Sequence, residues 1–259
     1  MLTSRVSHAD FPTKRILGID FFDGTAADAI AWLTAHGGLV VAPAAPSLAA
    51  LQRDPEYRRA IADADLAIAD SGWMVVFWKL LRGETVTRIS GLKLFRELLA
   101  SPEARIPQNV FWILPSESGR AKALAYGRSS AYPITEVDCY VAPFYPKGGN
   151  LRDDALLALL EARRPKHVII CVGGGMQDKL GSWLKHNLSY CAALYCIGAA
   201  PGFVTGDQVQ IPMWADRFFV GWIFRIIAQP RVFIPRFWSA RRLPWLIVRY
   251  GRAMPPLAK

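Results

Sequence analysis

The chain has 259 residues, of which 52% are hydrophobic and 20% are charged, and its formal net charge is +10. This length suits one large domain, or a domain with an appendage, and the apolar fraction excludes a disordered or low-complexity protein. The four cysteines lack metal-ligand spacing and are too few for a disulfide scaffold, so we expect four small buried side chains in a reducing cytoplasm.

The positive charge is concentrated near the C-terminal end. Residues 217–259 contain nine Lys and Arg, nine aromatic residues and no Asp or Glu, whereas residues 1–216 contain 22 basic and 21 acidic side chains. The sequence therefore predicts a flexible N-terminus at 1–14, a nearly neutral core at 15–216 and a basic, aromatic appendage at 217–259.

Short β-rich runs alternate with helical patterns along the core. Strands are predicted at 15–21, 39–42, 66–68, 110–114, 135–141, 167–172 and 193–197. Apolar residues at i, i+3, i+4 spacing predict helices at 26–35, 48–62, 73–81, 92–99, 119–126, 151–162 and 180–188. This alternation predicts an α/β fold: a Rossmann-like, mainly parallel sheet with helices on both faces, plus a basic amphipathic C-terminal helical appendage.

No targeting or membrane-spanning segment is expected. Residues 1–14 carry charges of both signs, unlike a signal peptide. Two uncharged windows, 29–52 and 187–206, are interrupted by glycine and proline, whereas a span needs about 20 apolar residues in one helix.

In a parallel sheet, ligands bind at the carboxyl ends of strands. The predicted strand at 167–172 runs into Gly173-Gly174-Gly175 and then a helix, a pattern that brings backbone N–H groups to an anion such as a sugar-nucleotide diphosphate. It is neither the dinucleotide fingerprint nor a Walker loop. The alternative is that these glycines only form a tight turn.

Asp70 follows another predicted strand, at 66–68, and precedes a helix. One interpretation is a helix N-cap, and the other is a general base that takes a proton from a sugar hydroxyl. Asp63 and Asp65 precede the same strand, so we interpret them as a solvated turn rather than a metal-binding pair. The four histidines are scattered and predict no metal site.

Within the appendage, Arg217, Gly221, Arg225 and Gln229 are spaced by four and form one stripe of a helix that is otherwise almost entirely apolar. Such a helix, followed by tryptophans and arginines, suits an anionic membrane interface. Two alternatives stay open: docking of the helix onto the core, and nucleic-acid binding.

In their order, these segments resemble the WecG/TagA/CpsF family of bacterial glycosyltransferases over most of the chain, from about residue 16 to 250. The segments that match family motifs are Asp70-Ser71-Gly72-Trp73 (Asp-Gly-x-Gly), 88–94 (Arg-x-x-Gly-x-x-Leu), 173–178 (Gly-x-Pro-x-Gln-Glu), 198–206 (Gly-x-x-x-Asp-x-x-x-Gly), 217–225 (Arg-x-Gly-Leu-Glu-Trp-x-x-Arg) and Gln229-Pro230-Arg231 (Glu-Pro-x-Arg).

The resemblance implies a metal-independent, inverting glycosyltransferase with no cofactor. It would move a hexose or N-acetylhexosamine-type sugar from a UDP-sugar to a polyprenyl-diphosphate-linked saccharide, in exopolysaccharide or other cell-surface polysaccharide synthesis. It also implies a peripheral position on the inner face of the cell membrane. A nucleic-acid partner is not expected, and a homo-oligomer is left open.

The resemblance also implies roles for individual residues. Asp70 would be the catalytic base. The residues expected to bind the donor nucleotide are Gly173, Gly174, Gly175, Gln177 and Arg88. The residues expected at the lipid diphosphate or the membrane are Arg217, Arg225, Arg231 and Trp222.

Several positions depart from the family pattern. The Thr-x-Asn after the second strand is Ala42-Pro43-Ala44, and the other departures are Lys93, Gly175, Asp178, Gly202 and Gly221. They favour a rival interpretation, a catalytically silent sugar-nucleotide-binding or scaffolding subunit of a polysaccharide assembly complex. A third interpretation is an unrelated α/β enzyme whose tail mediates oligomerisation.

Overall fold

The computed structural model describes residues 11–146, 151–207, 227 and 230–258. The strands are β1 (Thr13–Ile16), β2 (Ile19–Phe22), β3 (Gly38–Val41), β4 (Leu66–Ala67), β5 (Val110–Leu114), β6 (Cys139–Val141), β7 (His167–Ile170) and β8 (Ala193–Cys196). The helices are α1 (Ala26–His36), α2 (Ala45–Ala49), α3 (Pro55–Ala62), α4 (Gly72–Arg82), α5 (Gly91–Ala100), α6 (Glu117–Ser130), α7 (Asp154–Arg163), α8 (Met176–Asn187), α9 (Ala200–Thr205), α10 (Pro230–Ala240) and α11 (Leu243–Tyr250). Arg217, Gly221, Trp222 and Arg225 lie outside the described residues.

The eight strands form one sheet in the order β1-β2-β4-β3-β8-β7-β5-β6, and every pair except β1–β2 is parallel. The central strands β5, β7 and β8 are buried along their whole length, as continuous apolar runs require. The two halves of the chain meet where β3 pairs with β8, from Gly38↔Ala193 to Val41↔Cys196. The predicted mainly parallel sheet is confirmed.

Helices cover both faces of this sheet, because alternate strand residues contribute to two separate cores. One core contains Val168 and Ile170 of β7 and packs against α2, α3, α4, α7, α8 and α11. The other contains Ile169 of the same strand and packs against α1, α5, α6 and α9. The period of two along a strand thus produces two apolar layers.

The predicted strand at 15–21 is wrong in one respect, since it is a hairpin of two antiparallel strands. The chain reverses at Leu17 and Gly18, which have φ of 50° and 79°. Residues with positive φ at both central positions form the tight turn that matches strand twist, but leucine is an unusual choice there. The backbone N–H groups of Leu17 and Gly18 donate to the carbonyls of Gly251 and Arg252, so the turn packs against the C-terminal segment.

Two other predicted elements are shorter than expected. The predicted helix at 48–62 is divided into α2 and α3, because Asp54 caps α3 by accepting from the Tyr57 N–H at 2.9 Å and Pro55 begins the new helix. Of the predicted strand at 135–141, only β6 is extended, and Glu136–Asp138 forms a 3₁₀ turn.

The described end of the appendage packs onto the core. Leu243, Leu246 and Ile247 of α11 are buried in the core that also contains Met74 and Trp78 of α4. The helix at 217–229, for which docking onto the core was the alternative, lies outside the described residues apart from Ile227. No helix in the described part of the chain is long and apolar enough to cross a bilayer.

Candidate active site

Four neighbouring strands, β4, β3, β8 and β7, carry the predicted site at their carboxyl ends. Asp70 follows β4, Ala42 follows β3, Gly198 follows β8 and Gly173 follows β7. The outer two of these four strands, β4 and β7, are three strand spacings apart, a distance of about 14 Å. The sequence-predicted residues after β4 and β7 therefore lie at one edge of the sheet, on either side of the junction where the two chain halves meet.

Asp70 is half-buried, and one of its two carboxylate oxygens is held by the protein. Its Oδ1 accepts a hydrogen bond from the Gly91 N–H at 2.9 Å, while no described residue donates to Oδ2. The N-cap interpretation of Asp70 is wrong, because Ser71 caps α4 by accepting from the Met74 N–H at 3.2 Å. A carboxylate that is fixed through one oxygen, while the other accepts no hydrogen bond from the described residues, has the geometry of a general base.

Gly91, the first residue of α5, holds Asp70 against the end of β8. A Cβ atom at Gly91 would lie 3.0 Å from the carbonyl oxygen of Ile197, a tight contact that glycine avoids where α5 approaches β8. Ser90 caps α5 by accepting from the Lys93 N–H at 3.1 Å. The start of α5 thereby connects the residues that follow β4 with those that follow β8.

Arg88 contacts the main chain of the same segment. Its Nε donates to the Asp70 carbonyl at 3.2 Å, and the residue pairs with Ala69 in an isolated parallel bridge. Arg88 was predicted to bind the donor nucleotide. The structure places it beside Asp70, where it fixes the backbone of the candidate base.

The three glycines after β7 form an exposed turn at the start of α8. Gly173 and Gly175 have φ of 97° and 85°, so the turn itself requires glycine at both positions. A Cβ at Gly173 would have no neighbour within 4 Å, and Gly173 and Gly174 are exposed. The tight-turn interpretation is therefore correct for two glycines, and the open space above the loop also leaves the helix start accessible to an anion.

Gln177, in the first turn of α8, joins this loop to β8. Its Nε2 donates to the Cys196 carbonyl at 3.0 Å, and the residue is only 4% exposed. Its Oε1 has no hydrogen-bond partner among the described residues and faces Gly198, where a Cβ would lie 3.5 Å away. A buried acceptor without a partner costs free energy, and an N–H or O–H group of a ligand would satisfy it.

Asp178 stabilises the glycine loop from below. Its Oδ2 accepts from the Gly175 N–H at 3.1 Å, whereas its Oδ1 has no partner among the described residues. Burial raises the pKa of Asp178 to about 7, although the hydrogen bond from Gly175 opposes the shift. The carboxyl group at this position thus changes charge near neutral pH.

Tyr57 of α3 lies beside Asp178. Its hydroxyl is buried near Ser47 and has no hydrogen-bond partner in the part of the chain that the structure describes, and burial together with the charge of Asp178 raises its pKa. Sequence reasoning did not identify Tyr57. It also left Gly91 without a role, although that glycine lies in the matched segment 88–94.

The departures from the family pattern fall in different parts of the site. Ala42 and Ala44 follow β3 in the middle of the carboxyl edge and supply no polar side chain there. Lys93 is exposed in the first turn of α5, and Gly202 lies inside α9. Only the two alanines lie between Asp70 and the glycine loop, because β3 separates β4 from β8.

Of the four predicted membrane or diphosphate residues, the structure describes only Arg231. It is exposed near the start of α10, which packs against α2. Because α2 begins at Ala45, directly after the carboxyl end of β3, α10 lies on the side of the sheet where the candidate site opens.

Metal-ligating residue types do not cluster anywhere in the described ranges. Asp63 and Asp65, interpreted from the sequence as a solvated turn, are instead hydrogen-bonded to Ser182, Lys185 and the Leu39 N–H at the opposite, amino edge of the sheet. Cys191 is exposed, in contrast to the expectation that all four cysteines are buried.

Fold and site together place the protein among Rossmann-like enzymes that bind substrates at the carboxyl edge of a parallel sheet. The chain belongs to the glycosyl transferase WecG/TagA/CpsF family, whose model matches residues 14–255, and it is a glycosyltransferase. Two curated relatives are each named N-acetylglucosaminyldiphosphoundecaprenol N-acetyl-beta-D-mannosaminyltransferase. The one from Bacillus subtilis strain 168 is 23% identical and the one from Bacillus spizizenii is 22% identical, each over 225 residues and 84% of both chains.

Proposed function

We propose that the protein transfers an N-acetylhexosamine-type sugar from a UDP-sugar, with inversion, onto a saccharide linked to a polyprenyl diphosphate. The observation that carries the proposal is the carboxylate of Asp70, held through Oδ1 by the Gly91 N–H, with Oδ2 available at the edge where substrates bind. The names of the two relatives support this acceptor class, and N-acetylmannosamine is the first donor sugar to test.

In the proposed reaction, Asp70 takes the proton from an acceptor hydroxyl. The oxygen of that hydroxyl attacks the anomeric carbon, the new glycosidic bond forms on the opposite face of the sugar, and the bond to the UDP oxygen breaks. UDP leaves with the electron pair of that bond. The remaining contribution comes from holding the two substrates in line.

The donor would lie across the ends of β7, β8 and β3, with its sugar directed toward Asp70. The exposed loop of Gly173 and Gly174 lies at the start of α8, and the partial positive charge of a helix start favours the charge of a nucleotide diphosphate. Gln177 Oε1 would accept a hydrogen bond from the donor. The reaction needs no metal in this proposal.

The acceptor would be bound from the membrane side. Arg225 and Arg231 are our candidates for its diphosphate, because guanidinium groups form paired hydrogen bonds with phosphate oxygens. The protein would act on the inner face of the cell membrane, in the synthesis of an exopolysaccharide or another cell-surface polysaccharide.

The test is transfer by the purified protein from a panel of UDP-sugars to a polyprenyl-diphosphate-linked N-acetylglucosamine. Asp70→Asn keeps the shape of the side chain and removes the base, so we expect the rate to fall by about 10²- to 10⁴-fold. Asp20→Asn is a control, because the partner of Asp20 among the described residues is Arg15, on the antiparallel β1–β2 hairpin at the end of the sheet. If Asp70→Asn turns over as fast as the wild type, the base assignment is wrong.

Ala42 and Ala44 favour a second candidate function, a silent subunit that binds a sugar nucleotide. Two methyl groups stand in the middle of the carboxyl edge, where the family pattern places threonine and asparagine. The same assay separates the two functions. If UDP binds but no donor yields product, the silent subunit is the better assignment.

A further inference from the structure

Five exposed large apolar side chains lie on two neighbouring helices. On α4 they are Val76, Leu80 and Leu81, which are 37%, 73% and 42% exposed. On α11 they are Trp245 and Val248, which are 54% and 57% exposed. We refer to these five side chains as the α4–α11 face.

The two helices lie side by side on the same layer of the protein. Met74 and Trp78 of α4 are buried in the same core as Leu246 and Ile247 of α11, so both helices present their opposite sides to solvent. The Arg82 guanidinium joins them, because its Nη2 donates to the Ile247 and Val248 carbonyls at 3.0 and 3.1 Å. The exposed stripes therefore form one continuous surface.

The charge around this surface is positive. Residues 71–83 and 230–258 contain no Asp or Glu, and Lys79, Arg241 and Arg249 are exposed beside the apolar side chains. The Arg241 guanidinium also lies 4.2 Å from the centre of the Trp238 ring, a side chain that is 65% exposed. The nearest acid in sequence, Glu84, is paired with Arg252 at 2.7 Å.

We infer that the α4–α11 face lies on an anionic lipid bilayer, with its apolar side chains inserted at headgroup depth and its basic side chains on the lipid phosphates. Exposed apolar residues flanked by tryptophan and by Lys or Arg suit this interface. A second copy of the chain fits less well, because a symmetric interface would bring the same positive surfaces together. The inference rests on the proposed function, which requires a membrane-bound acceptor, and adds a helix of the core to the contact.

This contact orients the candidate active site. The helix α4 begins at Gly72, two residues after Asp70, and its 11 residues span about 16 Å. A bilayer along the outer side of α4 would therefore lie close to Asp70. A lipid-linked acceptor would reach the base while its prenyl chain remained in the membrane.

Vesicle sedimentation of the full chain tests the inference. We expect the wild type to bind phosphatidylcholine vesicles that contain phosphatidylglycerol more strongly than vesicles of phosphatidylcholine alone. Leu80→Glu removes the most exposed apolar side chain of the face and adds a negative charge, so we expect binding to fall by about tenfold or more. Trp245→Glu, on α11, should also weaken vesicle binding.

Ile106→Glu is the matched control. Ile106 is 51% exposed but follows the 3₁₀ turn at Glu103–Arg105, whose Ala104 is buried in the core on the other face of the sheet. This variant makes the same chemical change on a surface that would not touch the membrane, and it should bind vesicles like the wild type. Circular dichroism checks that all three variants are folded.

Three results would overturn the inference. One is equal loss of vesicle binding in Leu80→Glu and Ile106→Glu, and another is wild-type binding that does not depend on anionic lipid. The third is a dimer in sedimentation velocity that Leu80→Glu dissociates without changing vesicle binding. Transfer by the wild type to a short-chain, water-soluble acceptor tests the proposed function separately, because that assay contains no bilayer.

Discussion

Two aspartates on either side of β4 show how the two edges of the sheet differ. At the amino edge, Asp65 uses both carboxylate oxygens: Oδ2 accepts from the Leu39 N–H at 2.7 Å, and Lys185 Nζ lies 2.9 Å from each oxygen. At the carboxyl edge, Asp70 uses one oxygen, and no described residue donates to the other. The residue type is the same, but one carboxylate joins structural elements and the other is available to a substrate.

Near the carboxyl edge, two buried polar atoms also lack hydrogen-bond partners in the described part of the chain. Gln177 Oε1 and Asp178 Oδ1 are buried without partners among the described residues, and both belong to the first turn of α8. Folded proteins satisfy most buried polar groups, so a cluster of unsatisfied ones next to an exposed loop indicates a site completed by a ligand or by water. His167 Nε2, at the amino end of β7, is also buried without a partner among the described residues, but it is not beside an exposed loop as the two groups of α8 are.

After Asp70→Asn, the largest loss of rate is expected at Gly91, which belongs to the carboxyl edge but bears no functional group. Gly91→Ala would place a Cβ 3.0 Å from the Ile197 carbonyl oxygen, so we expect α5 to shift from β8 by a few tenths of an ångström and the Asp70 hydrogen bond to shift with it. A displacement of about 1 Å near a reacting group costs about 10²-fold in rate, so we expect this smaller shift to cost about tenfold. Steady-state transfer kinetics measure the loss.

Gly119→Ala provides the control for that substitution. Gly119 also lies in the first turn of a helix, but a Cβ there would meet its nearest neighbour, Ser116 Oγ, at an ordinary 3.5 Å. We expect its transfer rate to match the wild type and its stability to rise by about 0.5–1 kcal/mol, because alanine is the better helix former. Equal activity of the two alanine variants would show that Asp70 does not depend on the close approach of α5 to β8.

Much of the fold could be predicted from the sequence, because the spacing of apolar residues determines where most helices and strands form. The continuous apolar run of β7 and the i, i+4 pattern of α5 both placed these elements correctly. The hairpin at Leu17 could not be predicted, since nothing in the local sequence favours leucine at positive φ. That turn depends on hydrogen bonds to Gly251 and Arg252, which lie more than 200 residues away.

The candidate site could be predicted only as separate residues. The sequence identified Asp70, the glycine loop and Gln177, and the sheet order brings the strands that precede them to one edge. It could not show that Ser71 and not Asp70 caps α4, because Ser and Asp are both good N-caps and adjacent in sequence. It also could not show that Gly91 contacts Ile197, since this contact depends on the packing of α5 against the end of β8.

At the amino edge, Asp65→Ala should reduce stability and leave the chemistry intact. The substitution leaves the Leu39 N–H without its acceptor and removes the carboxylate from Lys185, whose Nζ keeps the Asp63 carbonyl at 2.7 Å. An unsatisfied, partly buried donor costs about 1–3 kcal/mol. Urea denaturation measures this decrease in the free energy of unfolding. UDP affinity, measured under conditions where the variant is folded, should match the wild type, because the residue lies at the other edge of the sheet.

Asp63→Ala, at the same edge, should reduce the free energy of unfolding less than Asp65→Ala does. Asp63 accepts from Ser182 at 2.8 Å, but its oxygen lies 3.9 Å from Lys185, so we expect a smaller loss of about 1 kcal/mol. If Asp65→Ala instead impaired transfer more than folding, the division of roles between the two edges would be wrong.

The smallest effect expected in the wild type is the net pH dependence of stability, because the contributions of the two edges oppose each other. His167, at the amino end of β7, is buried with its Nδ1 3.0 Å from the Tyr195 hydroxyl, and burial lowers its pKa to about 4. Unfolding lets this group bind a proton below its ordinary pKa of 6.5, so its contribution to stability is lost as the pH falls from 6.5 toward 4. Asp178 has the opposite sign, because its pKa is raised from 3.8 to about 7. The folded state binds the extra proton in that range, and stability falls as the pH rises from 3.8 toward 7.

Between pH 7.5 and 5.5 these two contributions largely cancel in the wild type. Asp178→Asn keeps an acceptor for the Gly175 N–H but cannot titrate, so acidification over this range should lower its free energy of unfolding by about 1 kcal/mol relative to its value at pH 7.5. His167→Gln leaves only the Asp178 contribution, and its stability should rise by about 2 kcal/mol over the same range. Urea denaturation at both pH values measures these slopes. Slopes of the same sign in the two variants would show that the buried groups at the two edges do not oppose each other, whatever the absolute stability of each variant.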